Sequence, residues 1–197
     1  MRRILMWAGI SVVIGLLGAG VGVYLVISRP VEETLLTTAI PGRKVVGRIR
    51  SGLHLDQRET RVKLYFGDAG NSCLKTEEQL LRHSDDAASL GRRIVEALIH
   101  GPTKGLVRTL PERTVLNGFY LSNEGVSYVD LSEAVGEDHP GGVTTEYLTV
   151  FSIVNSLVLN VPEITRVKIL INGREAVTLA GHVDLVAAHS ADMVLVR

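Results

Sequence analysis

Residues 143–175, VTTEYLTVFSIVNSLVLNVPEITRVKILINGRE, decide the fold of this 197-residue chain. Thr144 or Thr145 is expected to begin a long helix, and Glu146 falls in its first turn, where a negative charge is favourable. Pro162 ends the helix because proline cannot continue its hydrogen bonding. The apolar residues of this segment recur three or four positions apart, as on the buried face of a helix: Tyr147, Val150, Phe151, Val154, Leu157 and Val158.

Strands are predicted on both sides of this helix. Residues 166–171, RVKILI, alternate polar and apolar side chains, and Asn172-Gly173 is a strong tight-turn pair. Upstream, residues 114–121 and 126–131 flank the turn 122–125. These two runs predict a hairpin.

The preceding segment adds a strand and a second helix. Residues 61–66, RVKLYF, alternate as a strand. Residues 74–82, LKTEEQLLR, are ambiguous, because their propensity favours a helix but the run is short. Ser84 or Asp85 is expected to cap a helix that ends at Gly101-Pro102. The element order predicts an α+β sandwich domain, with two helices packed on one face of a mixed sheet.

The first part of the chain has a different composition. Residues 4–27 contain no charge, and as a helix they would extend about 36 Å, enough to cross a bilayer core of about 30 Å. We therefore expect an uncleaved transmembrane anchor, with Arg2, Arg3 and Arg29 flanking it. The alternative is a cleaved signal peptide, whose apolar region is usually shorter. The charges on the two sides are nearly balanced and do not fix the orientation.

Charge separates the anchor from the rest of the chain. Residues 28–60 read as a linker interrupted by proline and glycine, and residues 61–197 as a single domain. Residues 1–60 contain 8 basic and 4 acidic residues, while residues 61–197 contain 13 basic and 17 acidic ones. The whole chain is neutral, which argues against a nucleic-acid binder.

The sequence predicts no catalytic residue and no cofactor-binding residue. Asp130 and Ser132 end a strand, but no second carboxylate or histidine stands at a defined spacing from them, so a structural role in a turn is favoured. Cys73 is the only cysteine and has no cation beside it in the sequence. Residues 101–105, GPTKG, resemble a phosphate loop but follow a helix instead of preceding one, so their amides are expected to point away from an anion.

Metal ligands are not predicted either. No two of the six histidines stand three or four residues apart on a helix, as a metal site would require. Glu137, Asp138 and His139 form an acidic loop segment that is expected to be solvated. His182 and Asp184 alternate on one face of a short strand and are interpreted as a surface pair.

Five ordered segments resemble the GerM domain family of sporulation and germination proteins. The resemblance extends from Arg61 to about Leu185, and the order of the segments carries it, since none is specific alone. The segments are LYFGD (64–68), EALIHGP (96–102), TLPERTVLNG (109–118), GVSYVDLS (125–132) and FSIVNSLVLNVPEITRVKILINGRE (151–175).

The resemblance implies several properties that composition does not show. The family fold is an α+β domain akin to ring-building modules of envelope complexes, and it makes residues 74–82 a strand. Family members are usually exported and are not known as enzymes, which implies a single-pass protein of the cytoplasmic membrane with an extracytoplasmic domain. The chain departs from the family in having one domain copy and no lipid-attachment cysteine near its start. A general envelope role is therefore expected in place of a sporulation role.

Two functions follow from these expectations. The first is a non-enzymatic module that binds or scaffolds cell-envelope proteins, or assembles with itself. The second is a peptidoglycan-binding accessory to a wall hydrolase, which requires exposed aromatic groups; Tyr120, Tyr128 and Tyr147 are the candidates and fit the core equally well.

Overall fold

A computed structural model describes residues 11–17, 20–26 and 58–197. The chain divides into two compact units, residues 1–51 and 52–197.

The first unit contains a hairpin where a helix is predicted. Strands β1 (Ser11–Leu17) and β2 (Gly20–Val26) pair antiparallel. The structure thus differs from the single helix predicted over residues 4–27, and the valines and isoleucines of this segment are residues that favour strands. No helix in the described ranges is long and apolar enough to cross a membrane. The transmembrane helix therefore stays a prediction, and linker residues 28–57 lie outside the described residues.

The second unit has the strand and helix order that the sequence predicts, with one short helix and one two-residue strand added. Residues 74–82 form a strand, which confirms the expectation from the family resemblance. The elements are β3 (Glu59–Gly67), β4 (Leu74–Arg82), α1 (Ala87–His100), β5 (Leu116–Leu121), β6 (Val126–Leu131), α2 (Ala134–Glu137), α3 (Val143–Val158), β7 (Arg166–Ile171) and β8 (Arg174–Glu175).

The strands form two sheets, and the prediction of a single sheet is wrong. β3 and β4 make an antiparallel pair, while the second sheet has the order β5-β6-β7-β8. This second sheet is mixed, because β6 and β7 are parallel and the other neighbours are antiparallel. The α+β class with a mixed sheet is confirmed.

Helix α3 explains why the two sheets stay separate. Ser152 Oγ donates to the Tyr65 carbonyl at 2.6 Å, and Ser156 Oγ accepts from the Tyr65 amide at 3.1 Å. Asn160, just beyond the helix, binds both the amide and the carbonyl of Lys63 at 2.8 Å. These polar side chains satisfy the edge of β3 that a further strand would otherwise occupy.

Helix α1 packs closely on the inner face of the second sheet. A Cβ atom on Gly91 would lie 2.3 Å from the Phe119 ring, so only glycine allows this approach. Asp86 caps the helix by accepting from the amides of Ala88 and Ser89, in place of the predicted Ser84 or Asp85. The buried apolar core draws on both sheets and on all three helices of the unit.

Candidate functional site

The strand-end carboxylate of Asp130 is structural, as the sequence favours. Its Oδ1 accepts from the Gly173 amide at 2.7 Å and so holds the turn between β7 and β8. Ser132 Oγ accepts from the Val115 amide at 3.0 Å. Neither side chain faces a histidine or a second carboxylate in the contacts of this region, and no acid–base pair is assembled.

The acidic loop segment is held by protein contacts. Asp138 accepts from the Arg113 guanidinium, with Nε to Oδ2 at 2.7 Å. His139 Nδ1 accepts from the Gly141 amide, so its Nε2 carries the proton toward Thr149 Oγ1 at 2.9 Å. Burial lowers the pKa of His139, against a smaller opposing effect of Glu146. Within residues 58–197, no group of three or more potential ligands is arranged to hold a metal ion.

His182 pairs with Glu146 of helix α3, and the predicted surface pair with Asp184 is wrong. His182 Nδ1 lies 2.6 Å from Glu146 Oε1, while Asp184 accepts from the Val186 amide. Glu146 is completely buried and also accepts from the amides of Ala180, His182 and Val183. Burial alone would raise the pKa of Glu146, but the bond from His182 and these amide bonds lower it to about 2.

The loop that resembles a phosphate loop binds a carboxylate of the chain itself. The amides of Thr103 and Lys104 donate to Glu77 at 2.9 Å, and Thr103 Oγ1 donates to Oε1 at 2.8 Å. The expectation that these amides point away from an anion is therefore wrong, although α1 does end before Gly101 as predicted. Because Glu77 occupies the amides, they are not offered to a phosphate.

Cys73 is buried, and its surroundings are those of a turn. The amides of Ser72 and Cys73 donate to Asp68 at 2.6 and 3.1 Å. These bonds hold the pKa of Asp68 at about 2. The Cys73 thiol is buried beside this turn.

A cavity of about 210 Å³ lies between the loop before β5 and the start of α3. Its two titratable residues are already engaged: Arg108 donates to the carbonyls of Ile99 and His100, and His139 binds Thr149. The cavity therefore offers no free acid or base for catalysis.

The outer face of the second sheet is different, because it leaves aromatic side chains in solvent. Tyr120 and Tyr128 stand opposite each other on β5 and β6, and they are 63% and 36% exposed. Lys168 is the next residue in this row, opposite Tyr128 on β7. The Lys168 amino group donates to the Val186 carbonyl and lies 3.4 Å from a carboxylate oxygen of Glu175. Lys168 is buried. We call Tyr120, Tyr128 and Lys168 the aromatic row.

Tyr147 does not belong to this surface. Its ring stacks on Phe151 with a centroid distance of 4.4 Å, and its hydroxyl donates to Asp192 at 2.9 Å. Of the three tyrosine candidates, the structure therefore brings two together and places the third against the core.

Sequence reasoning missed the two buried glutamates. The burial of Glu77 is indicated by the sequence once residues 74–82 are taken as a strand, because Glu77 then shares the inner face with Gln79 and Leu81. The sequence indication for Glu146 is weaker. It stands beside an apolar helix face, but its partners are more than thirty residues away.

Comparison with known families decides the identity of the domain. A family model described as Germane, sporulation and spore germination, matches residues 63–177. The chain belongs to the Germane family. This confirms the resemblance found in the sequence, and the matched residues run from β3 to just beyond β8.

Solved structures share the Germane fold. A putative lipoprotein from Clostridium perfringens is 25% identical, with a TM-score of 0.50 over 67% of this chain and 87% of that one. The first GerMN domain of the sporulation protein GerM from Bacillus subtilis is 20% identical, with a TM-score of 0.55 over 67% and 97%. The tandem GerMN domains of the same protein are 21% identical, with a TM-score of 0.56 over 68% of this chain and 46% of that one.

None of the curated proteins compared with the chain matches it. The Germane family is a sporulation and germination family and is not a known enzyme family.

Proposed function

We propose that this Germane protein is a membrane-anchored, extracytoplasmic module that binds and scaffolds cell-envelope proteins without catalysing a reaction. The anchor is the uncharged segment 4–27, and residues 28–60 tether the domain to it. Support comes from the family membership and from the engagement of the domain's buried acids in structural bonds.

The aromatic row is the observation that carries the proposal. Tyrosine is enriched at protein interfaces, since its ring buries a large area while its hydroxyl tolerates water. Lys168 stands in the same row but is paired with Glu175, so the centre of the surface has no unpaired charge. A sheet face with two exposed tyrosines is suited to a protein partner.

Cross-linking in intact cells tests this function. A photo-reactive amino acid is placed at position 128, and a matched one at Leu80, which is exposed on β4 of the other sheet. We expect position 128 to capture the same envelope proteins repeatedly, with loss of capture in Tyr120→Ala. Equal capture from positions 80 and 128 would reject the proposed surface.

The location of the domain has a separate test. Cys73 is the only cysteine and is buried. A maleimide is therefore expected to react only with a new cysteine placed at the exposed position 76. A membrane-impermeant maleimide is expected to label Thr76→Cys in intact cells and to leave the parent chain unlabelled. Labelling only after lysis would place the domain on the cytoplasmic side and contradict the proposal.

Peptidoglycan binding is the second candidate, and the aromatic row favours it as well. Two neighbouring tyrosines on an open sheet offer rings against which sugars can stack. Co-sedimentation with purified peptidoglycan separates the two functions. Binding that is lost in both Tyr120→Ala and Tyr128→Ala would support the wall-binding accessory, whereas a chain that stays in the supernatant would reject it.

A further inference from the structure

Four strands lie at the edges of the two sheets, and they differ in how they are protected against pairing. The free edge of β3 is bound by side chains of Ser152, Ser156 and Asn160. Natural edge strands carry charges or proline, or are very short. β4 contains four charged residues, and β8 consists of Arg174 and Glu175 alone. β5 has the sequence LNGFYL, with neither charge nor proline, and its one irregularity is a register shift between Leu116 and Gly118, which leaves residues 118–121 regularly paired. Within residues 58–197, β5 is therefore the least protected edge.

The backbone of β5 offers hydrogen bonds on this edge. The Ser122 amide donates to the Val126 carbonyl, which sets the alternation of the antiparallel ladder with β6. In that alternation Tyr120 bonds to Tyr128, while the amides of Phe119 and Leu121 point away from β6. Within residues 58–197, neither amide bonds to the backbone of a turn, loop or helix cap.

We propose that β5 pairs antiparallel with β5 of a second copy of this chain, about a two-fold axis at Phe119. The inference rests on the proposed scaffolding function and names self-association as part of it. A two-fold axis makes one surface complementary to itself, so a single uncharged strand is sufficient for a closed dimer.

The register of this pairing brings no charges together. Phe119 faces Phe119 of the second copy, and Gly118 faces Tyr120 across the axis. Asn117 then lies opposite Leu121. The strongly charged β4 edge would instead place Glu77 and Glu78 near like charges in several registers of self-pairing, which is unfavourable. Charge therefore selects β5 over β4 for the second copy.

Because β5 is short, the fraction of dimer is expected to depend on the protein concentration. Six residues form only a few backbone bonds, and interfaces smaller than about 1,000 Å² are weak or transient. A shared membrane would raise the effective concentration of the anchored copies. The dimer is thus expected to form on a crowded membrane and to dissociate on dilution.

Sedimentation equilibrium of the full chain in density-matched detergent tests the proposal, with amide hydrogen exchange as a second measurement. We expect a concentration-dependent dimer in which the amides of Phe119 and Leu121 exchange at least tenfold more slowly than in the monomer. The Tyr120 amide, already bonded to Tyr128, is the internal reference and should not change. In Asn117→Lys, which sets a charge against the second copy, the dissociation constant should rise at least tenfold.

Leu80→Lys is the matched control, because it adds the same charge at an exposed strand position away from β5. It should dimerise like the parent chain. A parent chain that stays monomeric, or an Asn117→Lys variant that still dimerises, overturns the proposal, and so does unchanged exchange at Phe119 and Leu121. Failure of in-cell capture at position 128 with an intact β5 dimer would instead reject the scaffolding of other envelope proteins.

Discussion

Two glutamates are buried in this domain, and both hold a distant loop by its backbone amides. Glu77, on strand β4, binds the loop after α1 and is 3% exposed. Glu146, in helix α3, binds the segment 180–183 and is completely buried. A carboxylate is charged and needs several donors to compensate for the loss of water, which the amides of a loop supply.

The two sites differ in the number and kind of their donors. Glu77 accepts from two amides, the Thr103 hydroxyl and Gln79. Glu146 accepts from three amides and from the imidazole of His182. In both cases burial would raise the pKa, and the hydrogen bonds outweigh it and lower the pKa. The comparison teaches that buried acids in this fold serve as loop anchors, and that Glu146 is the stronger of the two.

Removal of the stronger anchor has the largest expected effect. Glu146→Ala leaves three amides and an imidazole without their acceptor in a buried site, which should destabilise the domain by about 4 kcal/mol. Urea unfolding followed by circular dichroism measures this loss. Glu96→Ala, on the exposed face of α1, is the matched control and should change stability by less than about 0.5 kcal/mol.

The second largest effect is expected from low pH, which should weaken the Glu146 anchor. The pKa of Glu146 is lowered from 4.5 to about 2 in the folded domain, so the unfolded chain takes up its proton first. The stability that Glu146 contributes is therefore complete above pH 4.5 and is lost as the pH falls toward 2, on the order of 3 kcal/mol in total.

The comparison of two chains over the same pH range checks this assignment. Urea unfolding at several pH values between 5 and 2 should show a clearly shallower loss of stability in Glu146→Gln than in the parent chain. The remaining slope belongs to Asp68, Glu77 and Asp86, whose pKa values are also lowered. Parallel curves for the two chains would contradict the role of Glu146.

The weaker anchor should cost less to remove. Glu77→Ala frees two amides, the Thr103 hydroxyl and the Gln79 amide group at the rim of the domain, where water can replace part of the lost bonding. We expect a loss of about 2 kcal/mol in urea unfolding, half the effect at Glu146. Faster amide exchange at Thr103 and Lys104 should accompany it. An effect equal to that of Glu146→Ala would remove the distinction between the two anchors.

The sequence predicts the local elements of this domain better than their assembly. Residues 126–131 and 166–171 are strands over the predicted bounds, because alternating side chains are a local signal. The division into two sheets was not predictable in the same way. It depends on Ser152 and Ser156 binding the edge of β3, and in sequence these serines are simply polar residues of a helix.

The anchors were missed for a related reason. The partners of Glu146 lie 34 to 37 residues further along the chain, and those of Glu77 lie 26 and 27 residues further. No spacing rule connects such distant positions. Local patterns therefore locate the helices and strands, while the bonds that close the loops depend on the assembled fold.

Removal of a single hydroxyl, that of Thr103, should have the smallest effect on stability. It is also the sharpest test of how the Glu77 anchor works. Thr103→Val keeps the size of the side chain and the amide bond but removes the 2.8 Å bond from Oγ1 to Glu77, and should cost about 1 kcal/mol. Thr76→Val, exposed on the same strand as Glu77, is the matched control and should be neutral, since valine suits a strand. In the Glu77→Ala background Thr103→Val should cost almost nothing, because its partner is already gone. If the cost of Thr103→Val were the same in both backgrounds, the hydroxyl would stabilise the loop independently of Glu77, and the anchor would consist of the two amides alone.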